Sequence, residues 1–557
     1  MNLARLFDTA LAGCELEDFP VEQGELTEEG GPGGAISIAP SLLQRLSARA
    51  FADISRYLSP HQLECLARLK ADSDDANEIF VLESLLENAA LSAGGILPLC
   101  QDTGTATVFA VKDEGLVTGG GDIEALEEGA GKAWREAYLR ASQFVPDNIY
   151  AEHDSGTNLP AQIQIETGWP ATAQGPRYRF LFTAKGGGSA NKTSLFQMTK
   201  ALLDEAKLKP FLLEKTLALG TSACPPYHLA VVIGGTSAEE NLKMQKLASS
   251  GLFAKWQGEE LPLRDRALED WLLDTCAKEG PGAQFGGRAF LASATVLRLS
   301  RHAASLPVSI GVACVAHRSM LAEISSNGVR VERLVHDVPG FMASLERTRN
   351  DDAQGGRVQT GGPAESSPSG SAKAAGKTEA VPIDLSKGME AVLAALRGLP
   401  VGTRLSLSGP LLVARDAAHL RWHQLIASGK ELPSYTTQYP IYYAGPARTP
   451  PDHPVGSLGP TTALRMDEYA DELMARGASL VTLAKGNRTK ALLDACKQYG
   501  GFYLGTIGGA AALLASKNVL SSRVIDYEDL GMEAVRLIEV KDLAAFVLVD
   551  DGGKSLY

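Results

Sequence analysis

The sequence predicts a mixed α/β protein: an α+β N-terminal catalytic part over residues 1–345 and a smaller α/β part over residues 383–557. Three observations lead there. The chain has 557 residues, more than one hydrophobic core serves. Residues 350–379 contain Val358 as their only large aliphatic and no aromatic, so 346–382 reads as a flexible linker that cannot bury enough apolar surface to order itself. On both sides of it, apolar spacing alternates between the helical three-or-four and the strand-like two.

Taken in order, the first 145 residues are mostly helical in pattern, as in SLLQRLSARAFADISRYL and ANEIFVLESLLENAAL. Strand-like runs follow, namely AQIQIET, RYRFLFTA, HLAVVIGG and PVSIGVACVA. Beyond the linker, RLSLSGPLLVA, DAAHLRWHQLIASG, ASLVTLAK, RTKALLDACKQYG and FYLGTIGG alternate strand with helix, the order of a compact α/β unit.

Apolar residues make up 45% and charged residues 21%, a globular balance. Lys plus Arg is 53 and Asp plus Glu is 66, so the formal charge is 53 − 66 = −13. That acidity argues against nucleic acid as a partner. No run approaches the roughly 20 apolar residues of a membrane span. The acidic N-terminus resembles neither a signal nor a transit peptide. Seven scattered cysteines make no disulfide framework, and a cytoplasmic protein with free thiols is expected.

Neither glycine-rich run carries a nucleotide fingerprint. AKGGGSANKT (184–193) has Asn191 where a phosphate loop needs glycine, and GTIGGAA (505–511) lacks the dinucleotide spacing. The cysteines say more. Cys100 lies between a helical run and a strand, directly before Gln101 and Asp102. Cys224 precedes Pro225 and Pro226, which end any regular element. Cys314 lies in a small-residue strand twelve positions after His302. A lone cysteine is usually a small buried hydrophobe, and Cys14, Cys65, Cys276 and Cys496 sit in helical patterns and are read so. Three loop or strand-end thiols together would suit zinc or an iron–sulfur group with one open metal position, but their spacing is no motif.

The surrounding words decide the matter. LPLCQDTGTA, YAEHDSGTNLPAQIQI, FTAKGGGSANKT, LGTSACPPYHLAVVIGGTSAE, RLSRHAASLPVSIGVAC, VARDAAH, YYAGPARTP, GPTTALRMD, LAKGNR, GGFYLGTIGGAAA and LGMEAVRLIEV together resemble the class I, iron–sulfur-dependent fumarate hydratases, from about residue 89 to the C-terminus. The resemblance implies a reversible hydro-lyase converting (S)-malate to fumarate. It implies a [4Fe-4S] cluster on Cys100, Cys224 and Cys314, with the fourth iron open to substrate. Substrate-binding positions are matched by Gln101, Arg140, Gly188, Asn191, Lys192, Arg415, Arg465 and Lys485. Arginine suits a carboxylate because its planar fork donates two parallel bonds. Asp102, His302 and Thr461 are the candidate proton-transfer groups, unranked. A small dicarboxylate partner and a homodimer are also implied. Leu464, where the family has glycine, adds bulk beside the carboxylate site and leaves mesaconate or tartrate as alternative substrates. Val315, Ala316, His317 and Leu306 are further departures from the family pattern.

Overall fold

The computed structural model describes residues 3–29, 35–168, 175–253, 263–355 and 379–557, with residues 29, 263 and 350–355 described by their backbone alone. Three sheets organise it. The first has six strands in the order Leu16–Phe19, Gly328–Glu332, Ser319–Ser325, Tyr178–Lys185, Thr105–Asp113, Gln162–Gly168. Its one parallel pair is Thr105–Asp113 with Gln162–Gly168. Helices Pro40–Ile54 and Asp122–Glu136 cover one face through Leu42, Leu46, Phe51, Leu126 and Trp134. Gly129 lets the two helices touch: a Cβ there would lie 2.3 Å from the Gln44 carbonyl oxygen.

Strand Thr105–Asp113 corrects the helical expectation for the first 145 residues. Val108, Phe109, Ala110 and Val111 are all buried. A strand covered on both faces shows no alternation and reads as a plain apolar run.

The second sheet runs Ser194–Met198, Leu306–Ala313, Tyr227–Gly235, Leu291–Arg301, Leu263–Arg264. Tyr227–Gly235 is antiparallel to Leu306–Ala313 and parallel to Leu291–Arg301.

The third sheet uses only residues from Val381 onward, in the order Val381–Asp384, Arg404–Val413, Ile441–Tyr442, Val481–Ala484, Phe502–Gly505, Val535–Val549, Val519–Asp526. Arg404–Val413 also pairs with Val535–Val549, so five strands close into a ring and the long edges disappear. Four strands of the ring are parallel neighbours, and helices Asp416–Ala427, Asp467–Met474 and Lys490–Tyr499 lie between them in sequence. The strand–helix alternation arises from these crossovers.

Helix Val338–Gly355 continues ten residues into the segment expected to be linker. Phe341 and Met342 pack it on the core, and a helix once nucleated adds residues at little cost. The rest of that segment, 356–378, lies outside the described residues. One core cluster draws on both sides of it: Leu82, Leu85, Cys100, Cys224 and Val315 meet Trp422, Tyr443, Ala463 and Ile507. The site forms at that junction.

Candidate active site

Cys100 lies in the segment joining helix Ala76–Ser92 to strand Thr105–Asp113. Cys224 sits at φ +64°, a left-handed conformation few non-glycine residues adopt. Cys314 directly follows strand Leu306–Ala313, and the next residue, Val315, donates its N–H to the Cys224 carbonyl (3.2 Å).

The three thiols feel one another. Burial raises Cys100, Arg318 opposes the rise and Cys314 adds to it. Burial pushes Cys224 up to about 12, against the Lys485 ammonium, whose Nζ donates to the Cys224 Sγ at 2.9 Å. Lys485 itself is held above its ordinary value: burial lowers it, and Cys224, Cys100 and Cys314 together overcome that. Two buried thiols and the half-buried Cys314 lie around the half-buried Lys485 ammonium, a positive charge that works against burial to favour thiolate at Cys100 and Cys224.

Among the described residues no group of three or more His, Cys, Asp or Glu side chains is gathered as a site for a metal ion. A polynuclear iron–sulfur group needs thiols that converge around a space rather than on a point. The donor set fits such a group, being three thiols with no imidazole among them. Gly508 forms part of the cradle, since a Cβ there would lie 2.4 Å from the Cys224 Sγ.

Asp102 is half-buried beside the thiols. Burial would raise its carboxyl, but Arg140, Arg318 and Lys485, with the Gly187 N–H, hold it below the usual carboxylate range. The Arg140 ion pair is 3.8 Å long. Gly186 lies against the carboxylate, because a Cβ there would be 2.8 Å from Oδ2. Gln101 reaches across to the C-terminal side and donates to the Pro460 carbonyl (3.1 Å). The next residue, Thr461, donates its hydroxyl proton to the Tyr443 carbonyl (3.0 Å). That leaves the Thr461 oxygen lone pairs as acceptors. The Thr461 carbonyl accepts from the Lys485 N–H (3.2 Å), which ties Thr461 to the cation at the thiols.

The arginines form a row. Arg140 donates to the Gly445 carbonyl (3.2 Å), and the Arg415 guanidinium packs against Gly445. Burial and the nearby Arg140 charge bring Arg415 down to about 10, against the pull of Glu533, to which Nη2 is bonded at 2.7 Å. Its buried Nε has no partner, an N–H left for an incoming acceptor. Arg465, more exposed, pairs with Asp416 (3.1 Å). Gly188 faces the Lys485 Nζ, 3.7 Å from where a Cβ would be, while Asn191 and Lys192 follow on the same loop, exposed and half-buried. Leu464 is half-exposed next to Arg465.

His302 is not brought to this place. It lies exposed in the turn between Arg301 and Leu306, where its Nδ1 accepts from the Ala304 N–H (3.2 Å). Cys314 lies beyond the other end of the eight-residue strand Leu306–Ala313, roughly 25 Å away at the ordinary rise per residue. Twelve residues of separation in sequence became a full strand length in space.

Arg318 was not anticipated. It is buried, donates to the Asp102 carbonyl (2.6 Å) and the Ala184 carbonyl (3.1 Å), and its charge bears on Asp102 and Cys100. Its position four residues after Cys314 was the available signal.

Beneath Arg415, His419 is fully buried and donates Nδ1–H to the Arg415 carbonyl (3.1 Å). Burial, with Arg488 nearby, pushes it down to about 4. The folded protein keeps His419 neutral while the unfolded chain protonates near 6.5. Its contribution is therefore full above 6.5 and is lost as the pH falls towards 4, at about 1.4 kcal/mol per pH unit. Thermal melts across that window should fall less steeply for His419→Gln than for the natural chain, and parallel slopes would contradict the assignment.

Two family profiles match the chain: fumarate hydratase over residues 44–323 and the fumarase C-terminus over residues 358–557. The anaerobic class I fumarate hydratase of Escherichia coli (strain K12) is 46% identical over 532 residues, covering 94% of this chain and 90% of that protein. The aerobic enzyme of the same strain is 45% identical with the same coverage. Fumarate hydratase 2 of Leishmania major is 42% identical over 533 residues, 94% of this chain and 88% of that protein. With its cysteines, cations and Asp102 gathered at one junction, the chain belongs to the class I fumarate hydratase family.

Proposed function

We propose that the chain interconverts (S)-malate and fumarate as a hydro-lyase. The observation that carries this reading is the meeting of Asp102, Thr461, Arg140, Arg415 and Lys485 beside two buried thiols and the half-buried Cys314 in a chain of this family. Cys100, Cys224 and Cys314 would hold a [4Fe-4S] cluster, which supplies a Lewis-acidic iron for the hydroxyl group that leaves malate or the water that adds to fumarate.

The chain's own residues do the rest. Arg415, through its unpartnered Nε, and Arg465 take one substrate carboxylate, and Arg140 and Lys485 place positive charge near the other. Those cations stabilise the negative charge that grows on a carboxylate as the C3 proton leaves. Asp102, ionised under its three cations, and Thr461, with its lone pairs free, handle that proton. Gln101, Gly188, Asn191 and Lys192 line the approach, the glycine permitting a close backbone. Replacing Arg415 by Lys keeps the charge and loses the fork. KM for malate should rise about tenfold to a hundredfold, the worth of one charge-assisted hydrogen bond, with iron content unchanged; an unaltered KM would remove Arg415 from the carboxylate site.

We further read residues 1–345 and 383–557 as two domains joined by 346–382, supported by the two separate family profiles and by a third sheet built wholly from residues after 380. The family resemblance implies a cytoplasmic homodimer; the seven cysteines are free, and among the described residues no helix is long and apolar enough to cross a membrane.

Anaerobic kinetics on malate, fumarate, mesaconate and the tartrates test the reading. The expected result is the highest kcat/KM with malate and fumarate. A higher value for mesaconate or a tartrate would reassign the substrate and point to Leu464, the bulky side chain next to Arg465.

A further inference from the structure

Each of the three cysteines has a buried amide side chain fastened to the residue beside it. Asn88, on helix Ala76–Ser92, donates to the carbonyl of Leu99, the residue before Cys100 (3.0 Å). Gln284 donates to the carbonyl of Pro225, the residue after Cys224 (3.0 Å). Gln62, on helix Pro60–Asp72, donates to the carbonyl of Val315, the residue after Cys314 (2.7 Å). All three amides are only 2% exposed.

Two of them do a second job. Asn88 also donates to the Gly509 carbonyl (3.1 Å) and accepts from the Leu513 N–H (3.0 Å). Gln284 donates to the Gly508 carbonyl (2.9 Å) and accepts from the Gly508 N–H (2.7 Å). Gly508 is the residue at which a Cβ would collide with the Cys224 Sγ. The amides thus fix the cysteine backbones to one another's surroundings and to the glycine cradle from the far side of the chain.

Buried amides commonly satisfy nearby turns. Here the partners lie 11, 59 and 253 residues away in sequence, on three separate elements, and each falls next to a different thiol. Gln62 shows the point most plainly: its Oε1 has no partner, so its whole polar contribution is the bond to Val315.

We propose that Asn88, Gln62 and Gln284 are positioning residues, one per thiol, that hold the three cysteines in cluster-binding places. The inference rests on the reading of Cys100, Cys224 and Cys314 as cluster ligands and extends it to the shell that orients them. Such outer residues tune metal affinity about 10- to 100-fold without touching the metal.

The test measures iron release to a chelator from anaerobically reconstituted full-length protein. The variants are Asn88→Leu, Gln62→Met and Gln284→Met. Asn241→Leu serves as control, removing a fully buried amide that bonds Val232 and Gly234 away from the cysteines. Each of the three variants should release iron about tenfold faster than the natural chain, with the visible spectrum altered, while Asn241→Leu releases it at the natural rate despite a lower Tm. Equal release from all four variants would make the effect general destabilisation and overturn the proposal. Natural release rates in the three variants would overturn it while leaving the cluster reading intact. A natural chain that takes up no iron would overturn both. Should Asn88→Leu or Gln284→Met fail to fold, Gln62→Met, which deletes a single bond, decides.

Discussion

Cys100→Ser, Cys224→Ser and Cys314→Ser should each lose the broad visible absorbance of an iron–sulfur group and all measurable malate dehydration. Cys65→Ser and Cys276→Ser should keep both. The difference is one of place. Cys65 and Cys276 lie inside helices, and burial alone is the main influence raising their thiols. The other three converge on Lys485. A serine hydroxyl cannot supply a thiolate at neutral pH, and three ligands without a fourth leave no redundancy. An active Cys224→Ser protein would sink the ligand assignment. In the proposed cluster the iron without a protein ligand would be the one most easily lost, so air should inactivate the protein, malate should protect it, and anaerobic ferrous iron with thiol should restore it.

Asp102→Asn should lower kcat by about a thousandfold, within the range general acid–base groups contribute, while iron and sulfide content stay at the natural level. Asparagine keeps the shape and the bond from Gly187 but cannot hold a proton. It also removes the charge that Arg140, Arg318 and Lys485 surround. A kcat within about threefold of the natural value, with iron retained, would take Asp102 out of the proton-transfer step and leave Thr461.

Much of this was legible in residue order, and the exceptions have physical causes. The C-terminal alternation could be read because parallel strands with crossovers keep each strand beside its helix in sequence: ASLVTLAK and RTKALLDACKQYG are Val481–Ala484 and Lys490–Tyr499. The three cysteines stood out through their neighbours, since Pro225 and Pro226 and the run after Cys100 end regular structure there. Thr105–Asp113 was hidden because a strand buried on both faces loses its alternation. His302 was a proton-transfer candidate for its imidazole, and the strand Leu306–Ala313 sets it a full strand length from Cys314 of the same chain. Arg318 left only its place four residues after Cys314, and Gln284, Asn88 and Gln62 left no sign at all. A buried amide or arginine acts through partners far along the chain, 224 residues in the case of Gln284 and Gly508, and single-sequence spacing carries no record of that.

The central claim is that this junction of thiols, cations and Asp102 is the site of an iron–sulfur hydro-lyase. Anaerobic reconstitution of the natural chain, with iron, sulfide and malate dehydration measured on the same sample, tests it most directly. About four irons and four sulfides per chain, with activity rising in proportion to them and vanishing when iron is stripped, is the predicted result. A fully active protein containing no iron would contradict it.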